Sequence, residues 1–164
     1  MKVIITDCDH ENINIEKEIF DRAGICVELK QAITEDEVIE QCQGADVFIV
    51  QYAKITEKVM DHCPQLKYVV RYGVGLDTID IPAATKHGIL VGNVPDYGMN
   101  EVADHAIALS LSMLRKIVEM NEYTKEEKWD YTKAIPVHRF SQLTCGVVGL
   151  GRIGRNFAKK MNAL

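Results

Sequence analysis

The chain has 164 residues, 47% of them apolar and 26% charged, enough for a packed core and a solvated surface. Nineteen Lys and Arg against 24 Asp and Glu leave a net charge of −5, which argues against nucleic-acid and anionic-membrane binding, because both need a broad cationic surface. Apolar runs are only a few residues long, too short for a membrane span, and the N-terminus meets Asp7 too early for a secretory signal. Five cysteines (Cys8, Cys26, Cys42, Cys63, Cys145) form no C-x-x-C pair. They read as free thiols, most of them at least half-buried, in a reducing cytoplasm.

Through the first hundred residues, short β-rich runs alternate with helical segments. Strands are expected at 2–6, 25–29, 46–50, 68–71 and 89–91. Between them, helices are expected at 13–23 (closed by Gly24), from a capping box at Thr34 and Glu37 to Gly44, at 56–63 and at 81–86. Continuous apolar strands alternating with helices imply βαβ crossovers and a parallel sheet buried on both faces. Asp7 and Asp9, after the first strand, read as a solvated loop pair, since His10-Glu11 follows them and not the Gly-Thr of a phosphotransfer loop.

Turn residues from Asn93 to Gly98 mark a boundary. A long helix is expected at 101–120, capped by Asn100, with Glu101 and Asp104 at its start and Arg115 and Lys116 towards its end. Its apolar residues cover more than one stripe, so it is expected to be buried between two bodies of protein. His105 on that helix reads as a helix or interface histidine without a catalytic task. Residues 121–138 read as a polar connecting arm whose lone Trp129 is a packing anchor. His62-Cys63 has no further ligands at metal spacing, so no zinc site is expected.

A strand at 144–149 then runs into Gly149-Leu150-Gly151-Arg152-Ile153-Gly154 and a helix at 152–164. This G-x-G-x-x-G spacing allows a tight turn at Gly149, close approach of a pyrophosphate at Gly151 and helix–strand packing at Gly154, with the helix N-terminus donating to the phosphates. A tight βα turn with no ligand fits the spacing too. No Gly-Lys-Ser/Thr follows, which excludes a Walker A loop.

Three segments together resemble the D-isomer-specific 2-hydroxyacid dehydrogenases, nearest the phosphoglycerate dehydrogenase and C-terminal-binding-protein branch. They are Arg71-Tyr72-Gly73-Val74-Gly75-Leu76-Asp77-Thr78-Ile79-Asp80; Asn93-Val94-Pro95-Asp96-Tyr97 with Glu101-Val102-Ala103-Asp104-His105; and Gly149 to Gly154. Gln51-Tyr52-Ala53 is similar to that branch as well. The resemblance implies a flavodoxin-like, doubly wound substrate-binding domain over 1–98. It also implies a long interdomain helix and the first βα unit of a Rossmann NAD(P)-binding domain, truncated, over 99–164.

By that resemblance, Arg71 with the amides of Gly73, Val74 and Gly75 binds the substrate carboxylate, as an arginine fork beside an anion-binding nest can. Val74 and Val102 line the nicotinamide side, and Gly149, Leu150, Gly151, Arg152, Ile153 and Gly154 hold the phosphates of NAD, with NADP not excluded. The family's catalytic arginine, glutamate and histidine have no matching position, so the chain alone is expected to be inactive. An NAD(H)-sensing regulator of the corepressor type and a stand-alone binding module are the other readings. A homodimer is expected, with domain swapping through the 101–120 helix as one route.

Overall fold

The structure, a computed structural model, describes all 164 residues. The five β-rich runs form strands β1 Val3–Ile5, β2 Val27–Leu29, β3 Val47–Val50, β4 Tyr68–Arg71 and β5 Leu90–Gly92. They build one sheet in the order β2-β1-β3-β4-β5, with every neighbouring pair parallel. Parallel neighbours need crossovers, which α1 Asn14–Arg22, α2 Glu35–Gln41, α3 Glu57–His62 and α4 Ile81–Lys86 supply.

Strand side chains alternate between faces, and here both faces are apolar. Ile4, Phe48, Val50 and Val69 join Val38, Val59, Met60 and Ala83 in one cluster, whereas Val3, Ile5 and Ile49 join Ile13 and Phe20 in the other. Burying each large side chain stabilises the fold by about 1.5–3 kcal/mol. The capping box forms as spaced: the Glu37 amide donates to Thr34 Oγ1 at 3.3 Å, and Glu37 Oε2 accepts from the Thr34 amide at 2.9 Å. Asp80 caps α4 by accepting from the Ala83 amide at 3.0 Å. These devices fix where α2 and α4 begin. Residues Met1–Asp96 make up this compact unit.

Residues Tyr97–Leu164 form a second unit, and here the sequence expectations need correction. The helix expected at 101–120 is two helices, α5 Met99–Leu114 and α6 Ile117–Lys125. Lys116 adopts a left-handed backbone with φ +56°, and the amides of Arg115 and Lys116 fold back onto the carbonyls of Leu111 and Met113. The β-branched pair Ile117-Val118, which favours helix weakly, follows the break. The two cations thus sit at the true end of α5, which is also where the dipole favours them. The cap is Gly98, not Asn100; Asn100 lies in the first turn and accepts from Asn156 Nδ2 at 3.1 Å.

The strand expected at 144–149 does not form. A strand exists through its ladder, and no segment of the chain pairs with this one, so Val148 is fully exposed. Helix α7 spans Arg152–Met161 and packs on α5, where Lys160 and Asp104 form an ion pair. Two 3-10 turns, Tyr131–Ala134 and Phe140–Gln142, occupy the connecting segment. Trp129 is 92% exposed and anchors no packing. Cys8, Cys42 and Cys63 are buried, while Cys26 and Cys145 are exposed. No helix is long and apolar enough to cross a membrane.

Candidate functional site

Arg71 ends β4, and its guanidinium is held in place by backbone. Nε donates to the Gln51 carbonyl at 3.3 Å and Nη1 to the Gly75 carbonyl at 3.0 Å, which leaves the Nη2 edge of the fork unengaged. The loop can wrap this closely only because of its glycines. Gly73 has φ +145°, and a Cβ there would lie 2.8 Å from Arg71 Nη1; at Gly75 one would lie 2.7 Å from Asp77 Oδ1. The Gly73 amide turns inward to the Arg71 carbonyl at 3.0 Å, whereas the Val74 and Gly75 amides donate to no group of the chain. Asn93 Nδ2 donates to the Val74 carbonyl at 2.7 Å, and the Val94 amide donates to the Gly73 carbonyl at 3.0 Å. The second sequence motif therefore braces the first. Val74 projects an exposed side chain.

The neighbouring strand ends hold a network that sequence reading missed. Asp7 is 1% exposed, not solvated. Its carboxylate accepts from Thr6 Oγ1 at 2.8 Å and from the amides of Gln51, Tyr52 and Ala53 at 3.2, 2.6 and 3.2 Å. It fixes the loop after β3, including the Gln51 carbonyl that orients Arg71. The sequence signal was an acid two residues past the end of an all-apolar strand, where a loop amide needs a partner.

Asp9 is solvated as expected, but it too is tied down. It accepts from Gln51 Nε2 at 2.5 Å and Tyr52 Oη at 3.0 Å, while its amide donates to Gln51 Oε1 at 2.7 Å. The hydrogen bonds from Gln51 and then Tyr52 hold its carboxyl below the usual carboxylate range, and Asp9 in turn raises the Tyr52 phenol. Tyr72 donates to Glu16 at 2.8 Å, and burial foremost pushes its phenol well up. His10 meets the Tyr72 ring edge-on, 5.3 Å between centroids. All of these lie beyond the carboxyl ends of β1, β3 and β4, where the strand order reverses between β1 and β3. Ligands of open parallel sheets bind at such switch points.

In the second unit, Gly149 has φ +93°, a conformation that favours glycine. A Cβ at Gly154 would fall 2.0 Å from the Gly149 carbonyl oxygen and 3.5 Å from Val147, whereas one at Gly151 would meet nothing within 4 Å. Gly151 opens α7 with no side-chain cap, and the Ile153 and Gly154 amides of the first turn are left for another acceptor. Arg155 Nε is drawn to the Leu150 carbonyl at 3.0 Å. Leu150, Ile153 and, on α5, Val102 are exposed, and Arg152 is the first residue of α7. An uncapped helix end behind a glycine with open space suits a dinucleotide pyrophosphate, so the donor set fits NAD or NADP. No group of three or more His, Cys, Asp or Glu side chains is placed to hold a metal ion.

Residues 3–158 match the sequence model of the D-isomer specific 2-hydroxyacid dehydrogenase catalytic domain. The chain belongs to this family. D-3-phosphoglycerate dehydrogenase of Synechocystis sp. is 36% identical over 165 residues, which covers 99% of this chain and 29% of that protein. Glyoxylate reductase of Pyrococcus furiosus is 33% identical over 168 residues, 97% of this chain and 49% of that protein. Among solved 2-hydroxyacid dehydrogenases, the D-lactate dehydrogenase of Aquifex aeolicus, complexed with NAD and lactic acid, superposes with a TM-score of 0.84 at 27% identity, covering 99% of this chain and 48% of that one. The acyclic imino acid reductase Bsp5, in complex with NADPH and D-Arg, gives a TM-score of 0.86 at 25% identity, covering 99% and 53%. This chain thus spans between 29% and 53% of the length of these proteins.

Proposed function

We propose that residues 1–98 are the flavodoxin-like substrate-anchoring domain of an NAD(P)-dependent D-2-hydroxyacid dehydrogenase, and that residues 99–164 open its Rossmann nucleotide-binding domain. The strand order 2-1-3-4-5 supports the first assignment, and the glycine geometry at 149–154 the second. The reaction interconverts a D-2-hydroxy acid and its 2-oxo acid, with loss or gain of a hydride and a proton at the carbinol. The dinucleotide, when bound, supplies the hydride acceptor or donor.

The observation that carries this reading is the tethered guanidinium. With Nε and Nη1 held by Gln51 and Gly75, the remaining edge of Arg71 meets a carboxylate without reorganising. The Val74 and Gly75 amides add donors beside it. Such an anchor fixes the carbon that reacts, which is the positioning share of catalysis. On the other unit, the Ile153 and Gly154 amides at the start of α7, with Gly151 and Arg152 beside them, would receive the pyrophosphate, and Val102 would offer apolar surface to the nicotinamide. The family's proton-transferring and polarising side chains have no counterpart among residues 1–164, so the chain alone binds without turnover. Exposed Leu109, Met113, Ile117 and Val118 on α5 and α6 support pairing with a second copy through this segment.

The test is a titration of the 164-residue chain with a 2-oxo acid, followed by amide NMR. Shifts centred on Val74 and Gly75 that vanish in Arg71→Ala support the anchor, and shifts unaffected by that substitution refute it. NADH oxidation by the chain alone would refute the absence of turnover, and a strict monomer in light scattering would refute the pairing.

A further inference from the structure

Gln51 is shared by two opposite charges. Its carbonyl accepts from Arg71, while its side-chain amide donates to Asp9 at 2.5 Å. The second oxygen of Asp9 accepts from the Tyr52 hydroxyl at 3.0 Å. Both donors are neutral, and Asp9 forms no ion pair with a Lys or Arg, so its negative charge is held on the same residue, Gln51, whose carbonyl orients the guanidinium. The loops after β1, β4 and β5 add Glu11, Asp77 and Asp96, against Lys54 in the loop after β3. Beside the anchor, Tyr52, 53% exposed, and Val74, 51% exposed, add aromatic and apolar surface.

We propose that the acid anchored by Arg71 carries no second anionic group, so the site takes 2-oxo and 2-hydroxy monocarboxylic acids with an uncharged tail and disfavours phosphorylated or dicarboxylic ones. The proposal rests on the reading of Arg71 as the carboxylate anchor. A carboxylate binds because Arg71 and two amides meet it directly. A further phosphate dianion on the same acid would meet the field of fixed Asp9, and the loops after β1, β3, β4 and β5 hold no second arginine to balance it. At the effective dielectric of a protein surface, that repulsion weakens binding about tenfold or more. Tyr52 and Val74 meanwhile offer contact to a methylene, methyl or hydroxymethyl tail. Several relatives named for phosphoglycerate thus share the fold, while this chain selects a different tail.

Hydroxypyruvate and its 3-phosphate differ only in the second anion and make the matched probes. Dissociation constants come from the Val74 and Gly75 amide shifts of the 164-residue chain at fixed ionic strength. Hydroxypyruvate is expected to bind at least about tenfold more tightly than the phosphate ester. In Asp9→Asn, which removes the charge and one of the two accepting oxygens, the ester should gain at least about threefold relative to hydroxypyruvate. Equal or preferred binding of the ester overturns the proposal, more pointedly if Lys54→Ala abolishes the preference. An unchanged ratio in Asp9→Asn overturns it too. If Arg71→Ala abolishes binding of both acids while Asp9→Asn leaves the ratio unmoved, the anchor stands and the selectivity alone fails. If both acids bind Arg71→Ala normally, or neither binds the unaltered chain, the anchor falls and the selectivity with it.

Discussion

Replacing Asp7 separates the buried clamp from the solvated acid two residues on. Three of its hydrogen bonds converge on Oδ1, from Thr6 Oγ1 and the Gln51 and Ala53 amides, and one on Oδ2, from the Tyr52 amide at 2.6 Å. In Asp7→Asn the amide oxygen can take the Oδ1 place, but its NH2 then faces the Tyr52 N–H, donor against donor. That loses one charge-assisted bond and leaves a hindered amide, a cost of about 2–3 kcal/mol. Asp7→Ala releases every partner and should cost about 3–5 kcal/mol, in the range seen when one side of a buried polar pair is removed. The assay is native-state hydrogen exchange at the Phe48, Val50 and Val69 amides, which report opening of the first unit. It is checked against thermal unfolding, where each kcal/mol moves the midpoint of a domain this size by roughly 4–8 °C. If Asn costs as much as Ala, or neither costs more than about 1 kcal/mol, the loop after β3 is not held by this carboxylate and the reasoning fails.

Gly154→Ala places a Cβ onto the Gly149 carbonyl oxygen and should destabilise the second unit by about 3 kcal/mol, read as loss of protection in α7. Gly151→Ala meets no atom within 4 Å, so it should leave that protection intact while weakening dinucleotide binding; a large loss of stability there would contradict the geometry. Thr34→Ala opens the capping box and should cost about 1 kcal/mol by urea denaturation; no measurable change would mean that the box is idle. Burial foremost, with Cys63 alongside, pushes the Cys42 thiol up to about 11 from an ordinary value of 9.0. Iodoacetamide at neutral pH should therefore modify Cys26 and Cys145 first, and rapid labelling of all five thiols would refute the burial. Because the folded-state value is the higher one, Cys42 contributes stability in full below pH 9, and that contribution is lost as pH rises towards 11. A pH-independent unfolding midpoint across that window would count against it.

The first unit was the more legible in sequence because its signals are local and mutually consistent. The Thr34–Glu37 box and the glycines at 73 and 75 specify a backbone state without distant help, and the five apolar runs all find their neighbours within the unit. The second unit was less so. The break at Lys116 follows from one left-handed residue inside an apolar stretch that carries no glycine or proline. The strand at 144–149 needs a neighbour to exist, and the apolar pattern of a strand says nothing of whether its partner is present. At the candidate site, Arg71 and its glycines stood out by motif. Asp7 did not, because its role depends on amides more than forty residues away in sequence, which the topology brings beside it.

The glycines at 151 and 154 meet different demands. Gly154 is required by the chain's own backbone, because any side chain there collides with the Gly149 carbonyl. Gly151 is free of any such demand from the fold. The fold therefore tolerates a side chain at 151, and position 151 can be altered to probe ligand binding without disturbing the turn.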